Sequence, residues 1–121
     1  MFKPLQRTLW VNRCKSMHIL QVYTHSPESC PIGNSKNLQI TEDWLKKVGA
    51  LTTKHGIKVV GIWTDRWGHK SWAVYDSPNM EAFEEYEKEP ENLAKVTFTD
   101  VETRMVTVPS QTLAFFAALK K

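Results

Sequence analysis

At 121 residues and 14.0 kDa the chain is long enough for one hydrophobic core and too short for two. Apolar residues at 41% and charged residues at 24% are ordinary for a soluble globular protein, and no run of about 18 apolar residues offers a membrane-crossing helix. The net charge of +3 is local: Lys3, Arg7, Arg13 and Lys15 fall in the first 16 residues without an acid, which leaves the remainder near −1 and argues against a nucleic-acid surface.

The first segment, MFKPLQRTLWVNRCKS (residues 1–16), carries positive charge without the continuous apolar run of a secretory signal. It reads as a basic leader or N-terminal extension: the product of an upstream start codon, a disordered arm or an added surface segment. The domain proper then begins at Met17 and is expected in the cytoplasm. Cys14 and Cys30 are too few for a disulfide framework, so reduced thiols are expected.

MHILQVYTH (17–25) alternates as a strand, with Leu20, Val22 and Thr24 on one face and Ile19, Gln21, Tyr23 and His25 on the other. Residues 26–37, rich in Pro, Ser, Gly and Asn, form a loop. A helix is expected to start at Thr41 as N-cap, with Trp44, Leu45, Val48 and Leu51 as its apolar stripe and Gly56 as its stop. IKVVGIWTD (57–65) and KSWAVYDS (70–77) are two more strands, joined through the glycine of RWGH as an antiparallel hairpin.

Ser77 and Pro78 suggest the cap and first turn of a second helix, buried along Met80, Phe83 and Tyr86. The glutamates at 81, 84, 85, 87, 89 and 91 read as its solvated face rather than a carboxylate metal cluster. Pro90 is expected to stop that helix, with residues 93–108 following as one long or two joined strands. The last segment, 109–121, places Leu113, Phe116, Ala117 and Leu119 near helical spacing, with Ser110 as a cap.

The order β-α-β-β-α-β, residues 17–108, is the ferredoxin-like α+β arrangement: a four-stranded antiparallel sheet with both helices on one face, here with an added C-terminal helix. Such a sheet should be apolar toward its helices and polar toward water. Here both registers of the second and third strands are apolar, Val59 and Trp63 against Val60 and Ile62, and Trp72 and Val74 against Ala73 and Tyr75. This much apolar surface calls for cover, and a second copy stacked sheet to sheet, a homodimeric α/β barrel, is the economical answer.

THSPESCP, Thr24 to Pro31, resembles the T-H-x-P-E-x-C-P signature of a poorly characterised prokaryotic family of small dimeric α/β-barrel proteins. That family is similar in fold to muconolactone isomerases and antibiotic-biosynthesis monooxygenases. A strand-opening histidine before an apolar run, here His69 in GHKSWAVYDS, is a second point of likeness. The resemblance covers Met17 to about Val108; it implies the fold, and says little of function because this superfold hosts many activities.

In the proposed topology the first and third strands are antiparallel neighbours, so the end of one meets the start of the other and His25 approaches His69. Cys30 folding back would complete a set of two imidazoles and a thiolate, ligands suited to zinc, copper or nickel with one position left open. Glu28 is a candidate fourth ligand or a partner orienting an imidazole. Against this, no C-x-x-C or H-x-x-x-H spacing supports a metal, and turn residues of these types are commonly structural. Cys30 paired with His25 is a second chemistry, nucleophilic catalysis, for which a thiol needs a nearby cation or helix N-terminus and His25 would supply the cation.

The aromatic set Tyr23, Trp63, Trp67, Trp72 and Tyr75 is the candidate wall of a cavity for a small apolar ligand, with core and dimer interface as the plainer reading. Asp65 and Arg66 are candidate contacts for a polar substituent and equally good turn residues. An RNA-recognition motif shares the element order, but Lys70 and Trp72 are followed by Val74 where a second stacking ring is needed. Three functions therefore stand: a metal- or ligand-binding dimer; an isomerase or cofactor-independent monooxygenase in which His25 or His69 shuttles a proton; and a structural or regulatory dimer with no site.

Overall fold

The computed structural model describes residues 16–120, so Cys14 and residues 1–15 of the basic leader lie outside the described residues. Strand β1 (Met17–Thr24) occupies the sheet centre. It pairs antiparallel with β3 (Lys70–Ser77) from Met17↔Ser77 to Thr24↔Lys70, and with β4 (Asp100–Val106) from His18↔Val106 to Thr24↔Asp100. The hairpin partner β2 (Lys58–Asp65) lies outside β3, giving the order β2-β3-β1-β4. Two principal helices, α1 (Ser35–Lys54) and α2 (Met80–Glu87), cover one face. This is the ferredoxin-like fold that the element order predicts, with a further helix, α4, at Pro109–Leu119.

The core forms where alternate strand residues meet the helical stripes. Ile19, Tyr23, Ala73 and Tyr75 from the sheet pack with Trp44 and Val48 of α1 and Phe83 and Tyr86 of α2. Tyr75 lies edge-on to Phe83 with ring centroids 5.3 Å apart, and Tyr23 to Trp44 at 5.8 Å, geometries that aromatic quadrupoles favour.

Helix boundaries depart from the sequence expectations for identifiable reasons. α1 begins two turns early because Asn34, not Thr41, is the N-cap: its side-chain oxygen accepts from Asn37 N at 3.1 Å. Thr41 instead donates back to Asn37 O at 2.9 Å inside the helix. The buried stripe is Trp44, Val48 and Thr52, while Leu45 is 51% exposed. Gly56 does end the helix, at φ +72°, where a side chain would be strained.

Ser77 remains in β3, fully buried, and α2 is capped by Asn79, which accepts from Ala82 N at 2.8 Å. Pro90 opens rather than closes a helix, the short α3 (Pro90–Lys95). Residues 93–99 are therefore not strand. Thr97 and Thr99 hydroxyls donate to the carbonyls of Ala94 and Lys95, satisfying the end of α3 and turning the chain toward β4. At α4 the cap position is Val108, not Ser110, and Gln111 Oε1 accepts from Val108 N at 3.1 Å. Among the described residues no helix is long and apolar enough to cross a membrane.

Candidate metal centre

The β1–β3 ladder continues one step beyond the strands, where His25 N donates to His69 O at 3.2 Å. Strand alternation puts His25 on the helix-facing side, two residues after Tyr23. His69 closes the β2–β3 turn at φ +55°, a left-handed conformation in which non-glycine residues are uncommon and which occurs at ligand-holding turns. Asp65 supports this turn by accepting from Gly68 N at 3.0 Å.

The loop that delivers Cys30 is built from two single 3₁₀ turns, each opened by a proline: Pro27–Ser29 and Pro31–Gly33. Ser26 caps the first, accepting from Ser29 N at 3.3 Å, and Gly33 N donates to Cys30 O at 3.0 Å. Asn37 of α1 anchors the loop by donating to Ser29 O at 2.8 Å. The result is a buried free thiol aimed at the two imidazoles.

His69 Nδ1 stands 3.3 Å from His25 Nε2, with ring centroids 5.2 Å apart and planes at 81°. One ligand atom from each of His25, Cys30 and His69 falls within 4.8 Å of the others, the one such group among the described residues. Two nitrogens on a tetrahedral zinc, each about 2.05 Å from the metal, stand about 3.3–3.4 Å apart, and a thiolate sulfur about 3.6 Å from each. The imidazole pair at 3.3 Å already has this spacing, and the Cys30 sulfur lies within 4.8 Å of a ring nitrogen of each histidine.

Burial lowers the pKa of His25, and the neighbouring His69 and Lys95 lower it further. The neutral imidazole that a metal requires is thus the favoured form. Glu28 is exposed and does not join the group. Asp65, the last residue of β2, and Arg66, the first of the turn, are both exposed.

The five candidate ligand-binding aromatics do not share one wall. Tyr23 and Tyr75 lie in the core between sheet and helices, where their hydroxyls are 3.2 Å apart. Trp63 and Trp72 pair across β2 and β3 on the opposite face, and Trp67 projects from the turn, 89% exposed. Side-chain alternation separates the two groups.

The acidic run is also less uniform than a solvated face. Glu81, Glu84 and Glu85 are exposed, but Glu89 accepts from Lys54 at 2.9 Å and meets His55 Nε2 at 2.7 Å, contacts that hold its carboxyl below the usual range. Glu91 pairs with Lys47 at 3.3 Å. Glu87 reaches the sheet, accepting from Gln21 Nε2 at 3.2 Å. Burial raises its pKa against the lowering effect of that bond.

Glu87 leads to a second polar region that the sequence did not mark. Gln21 also donates to Thr103 Oγ1 at 3.2 Å and accepts from the Tyr23 hydroxyl. The chain of phenols continues from Tyr23 through Tyr75 to Tyr86, the last step being 3.0 Å. Burial pushes all three phenols up, Tyr86 to about 12. Beside them Lys95, 6% exposed, lays its ammonium 3.8 Å from the Tyr23 ring centre and 3.5 Å from that of Trp44. Its only sequence cue was a lysine within a segment of apparent strand character.

Comparison with known proteins gives a fold likeness and nothing closer. No family model matches the chain, so the likeness of THSPESCP to a family signature rests on the motif alone. No curated protein matches either. Among solved structures, a point mutant of SnoaB, a cofactor-independent oxygenase from Streptomyces nogalater, is similar with a TM-score of 0.53. At 12% identity the alignment covers 78% of this chain and 94% of SnoaB, and it shows a shared fold.

Proposed function

We propose that the protein is a homodimer that binds one transition-metal ion per chain, zinc foremost, through His25 Nε2, His69 Nδ1 and Cys30 Sγ. The observation that carries this reading is the 3.3 Å separation of the two imidazole nitrogens beside a buried free thiol. Two imidazoles and a thiolate suit zinc, and copper or nickel after it. A metal held by three protein ligands supplies a Lewis-acidic open position. The chain's own residues fix that position: His69 through its left-handed turn, His25 through the ladder bond to His69, and Cys30 through its proline-opened turns.

The homodimer is supported by two apolar surfaces of the same chain that the described residues leave without full cover. Leu20, Val22, Trp72 and Val74 form one face of the sheet together with half-exposed Trp63. Helix α4 exposes Leu113, Phe115, Phe116 and Leu119 by 50–66%. A two-fold axis satisfies both surfaces reciprocally, since each copy offers what the other needs.

Native mass spectrometry with elemental analysis of protein purified without an affinity tag tests both parts. The expected result is a dimer retaining about one metal per chain, lost in His25→Ala and His69→Ala. A dimer that takes up no zinc at micromolar concentrations sinks the metal reading.

The fold shared with SnoaB supports a second reading, an oxygenase that needs no cofactor and acts on a small apolar molecule between sheet and helices. There His25, with its lowered pKa, serves as the base that removes a substrate proton. Oxygen consumption that survives exhaustive chelation supports this reading, and consumption abolished by chelation returns the case to the metal.

A further inference from the structure

We propose that Lys95 is a second reactive centre, an amine that condenses with a small aldehyde or ketone entering the cleft between β1, β4 and the α2–α3 region. This inference is independent of the metal reading.

The cleft has a volume of about 50 Å³, enough for a molecule of a few non-hydrogen atoms. Lys95 lines it together with Glu87, Gln21, Asn92 and the Tyr23 ring. Among the described residues the Lys95 ammonium makes no hydrogen bond and no ion pair, although the residue is only 6% exposed. A buried lysine ordinarily reaches water or a carboxylate, because an uncompensated ammonium is costly.

Here the two ring faces offset part of that cost while leaving the nitrogen lone pair unengaged once the proton is lost. Burial brings the pKa down to about 7, so a large share of the amine is neutral near pH 7, against well under 1% for an ordinary lysine.

The same cleft argues against an anion as the occupant. A carboxylate or phosphate drawn to Lys95 would face the Glu87 side chain in a small volume. A neutral carbonyl meets no such repulsion. In the condensation the amine lone pair attacks the carbonyl carbon, and the nitrogen proton passes to the oxygen to give a carbinolamine. Protonation of that hydroxyl then expels one water and leaves an iminium at Nζ. Glu87, which lines the same cleft and whose pKa burial raises, is the carboxyl available to relay the second proton. No oxidant or reductant is consumed.

The test is reductive trapping on the intact full-length protein. Propanal and cyanoborohydride are added at pH 7 with EDTA present, so that the readout does not depend on a bound metal, and alkylated lysines are mapped by peptide mass spectrometry. Lys95 should be alkylated at least about tenfold faster than the exposed Lys36, Lys46, Lys58 and Lys70. Lys95→Arg should remove that fast phase and leave the surface lysines unchanged. Alkylation of Lys95 no faster than the exposed lysines overturns the proposal. So does a result in which propionate raises the melting temperature while propanal leaves no adduct on Lys95, because the cleft is then an anion site.

Discussion

The two faces of the sheet are made from alternate residues of the same strands, yet they end in opposite conditions. On the helix side Ile19, Ala73 and Tyr75 are fully buried and Tyr23 is 5% exposed. One residue away on each strand, Leu20, Val22, Trp72 and Val74 are only partly covered, and Trp63 on β2 is 55% exposed. The helix face is satisfied within the chain, so its substitutions should register as lost stability. The open face is not, and its substitutions should register as lost association. The proposed functions divide along the same line, because the proposed metal ligand His25 and the proposed reactive amine of Lys95 both belong to the helix side.

The largest effect should come from the closed face. Trp44→Ala removes a ring that fills the core, donates to Asn92 Oδ1 at 2.7 Å and lies under Lys95. A loss of about 3–5 kcal/mol in urea unfolding is expected. A cost below about 1 kcal/mol would mean that this face is not the core.

Next is Trp72→Glu, which puts a charge at the centre of the open face, between Val22 and Trp63. Sedimentation equilibrium should show the dimer dissociation constant rising at least about 30-fold. The unfolding transition of the separated chain should hardly move. If Trp72→Glu unfolds the protein without altering its association, the contrast between the faces fails.

Much of this arrangement is readable from residue types. Residue patterning gives the four strands and the helices α1, α2 and α4 in order, though not α3, the two 3₁₀ turns or the start of α1, and the antiparallel neighbourhood of β1 and β3 is enough to bring His25 and His69 together. The register of Cys30 is harder, because it depends on Asn37 donating to Ser29 O from a helix that begins earlier than Thr41 suggests. Lys95 was illegible for a physical reason: Val96, Thr97 and Thr99 have strand character, and only the threonine hydroxyls closing the end of α3 turn that segment into a helix terminus. Nor does sequence reveal that a lysine will fold inward onto two rings, since most lysines face water. The split of the five aromatics is a consequence of period-two alternation that composition alone conceals.

Lys95 also gives the closed face a pH signature. Its pKa falls from 10.5 to about 7 on folding, so between those values the unfolded chain holds the extra proton and stability rises with pH. The gain is at most about 1.4 kcal/mol per pH unit across that window. Above about pH 10 the buried phenols act in the opposite direction, because only the unfolded chain readily loses their protons. Urea unfolding of wild type and Lys95→Met between pH 7 and 9 should therefore diverge, with wild type gaining stability relative to the variant. Parallel curves would mean that the amine keeps its ordinary pKa.

The smallest expected effect returns to the open face and separates surface from interface. A Cβ added at Gly61 would lie 2.3 Å from the Trp63 ring, which rests over the glycine. In an isolated chain that ring is half-exposed and can swing outward, so Gly61→Ala should cost no more than about 1 kcal/mol in unfolding. In a dimer the displaced indole has to enter the space of the facing sheet, where interiors tolerate little added volume. The same methyl group should then weaken association by about 1–2 kcal/mol, readable as an about five- to thirtyfold shift in the dissociation constant beside a nearly unchanged monomer. Equal, small effects on both quantities would place Trp63 outside the interface and confine the contact to the Trp72, Val22 and Leu20 side of the sheet.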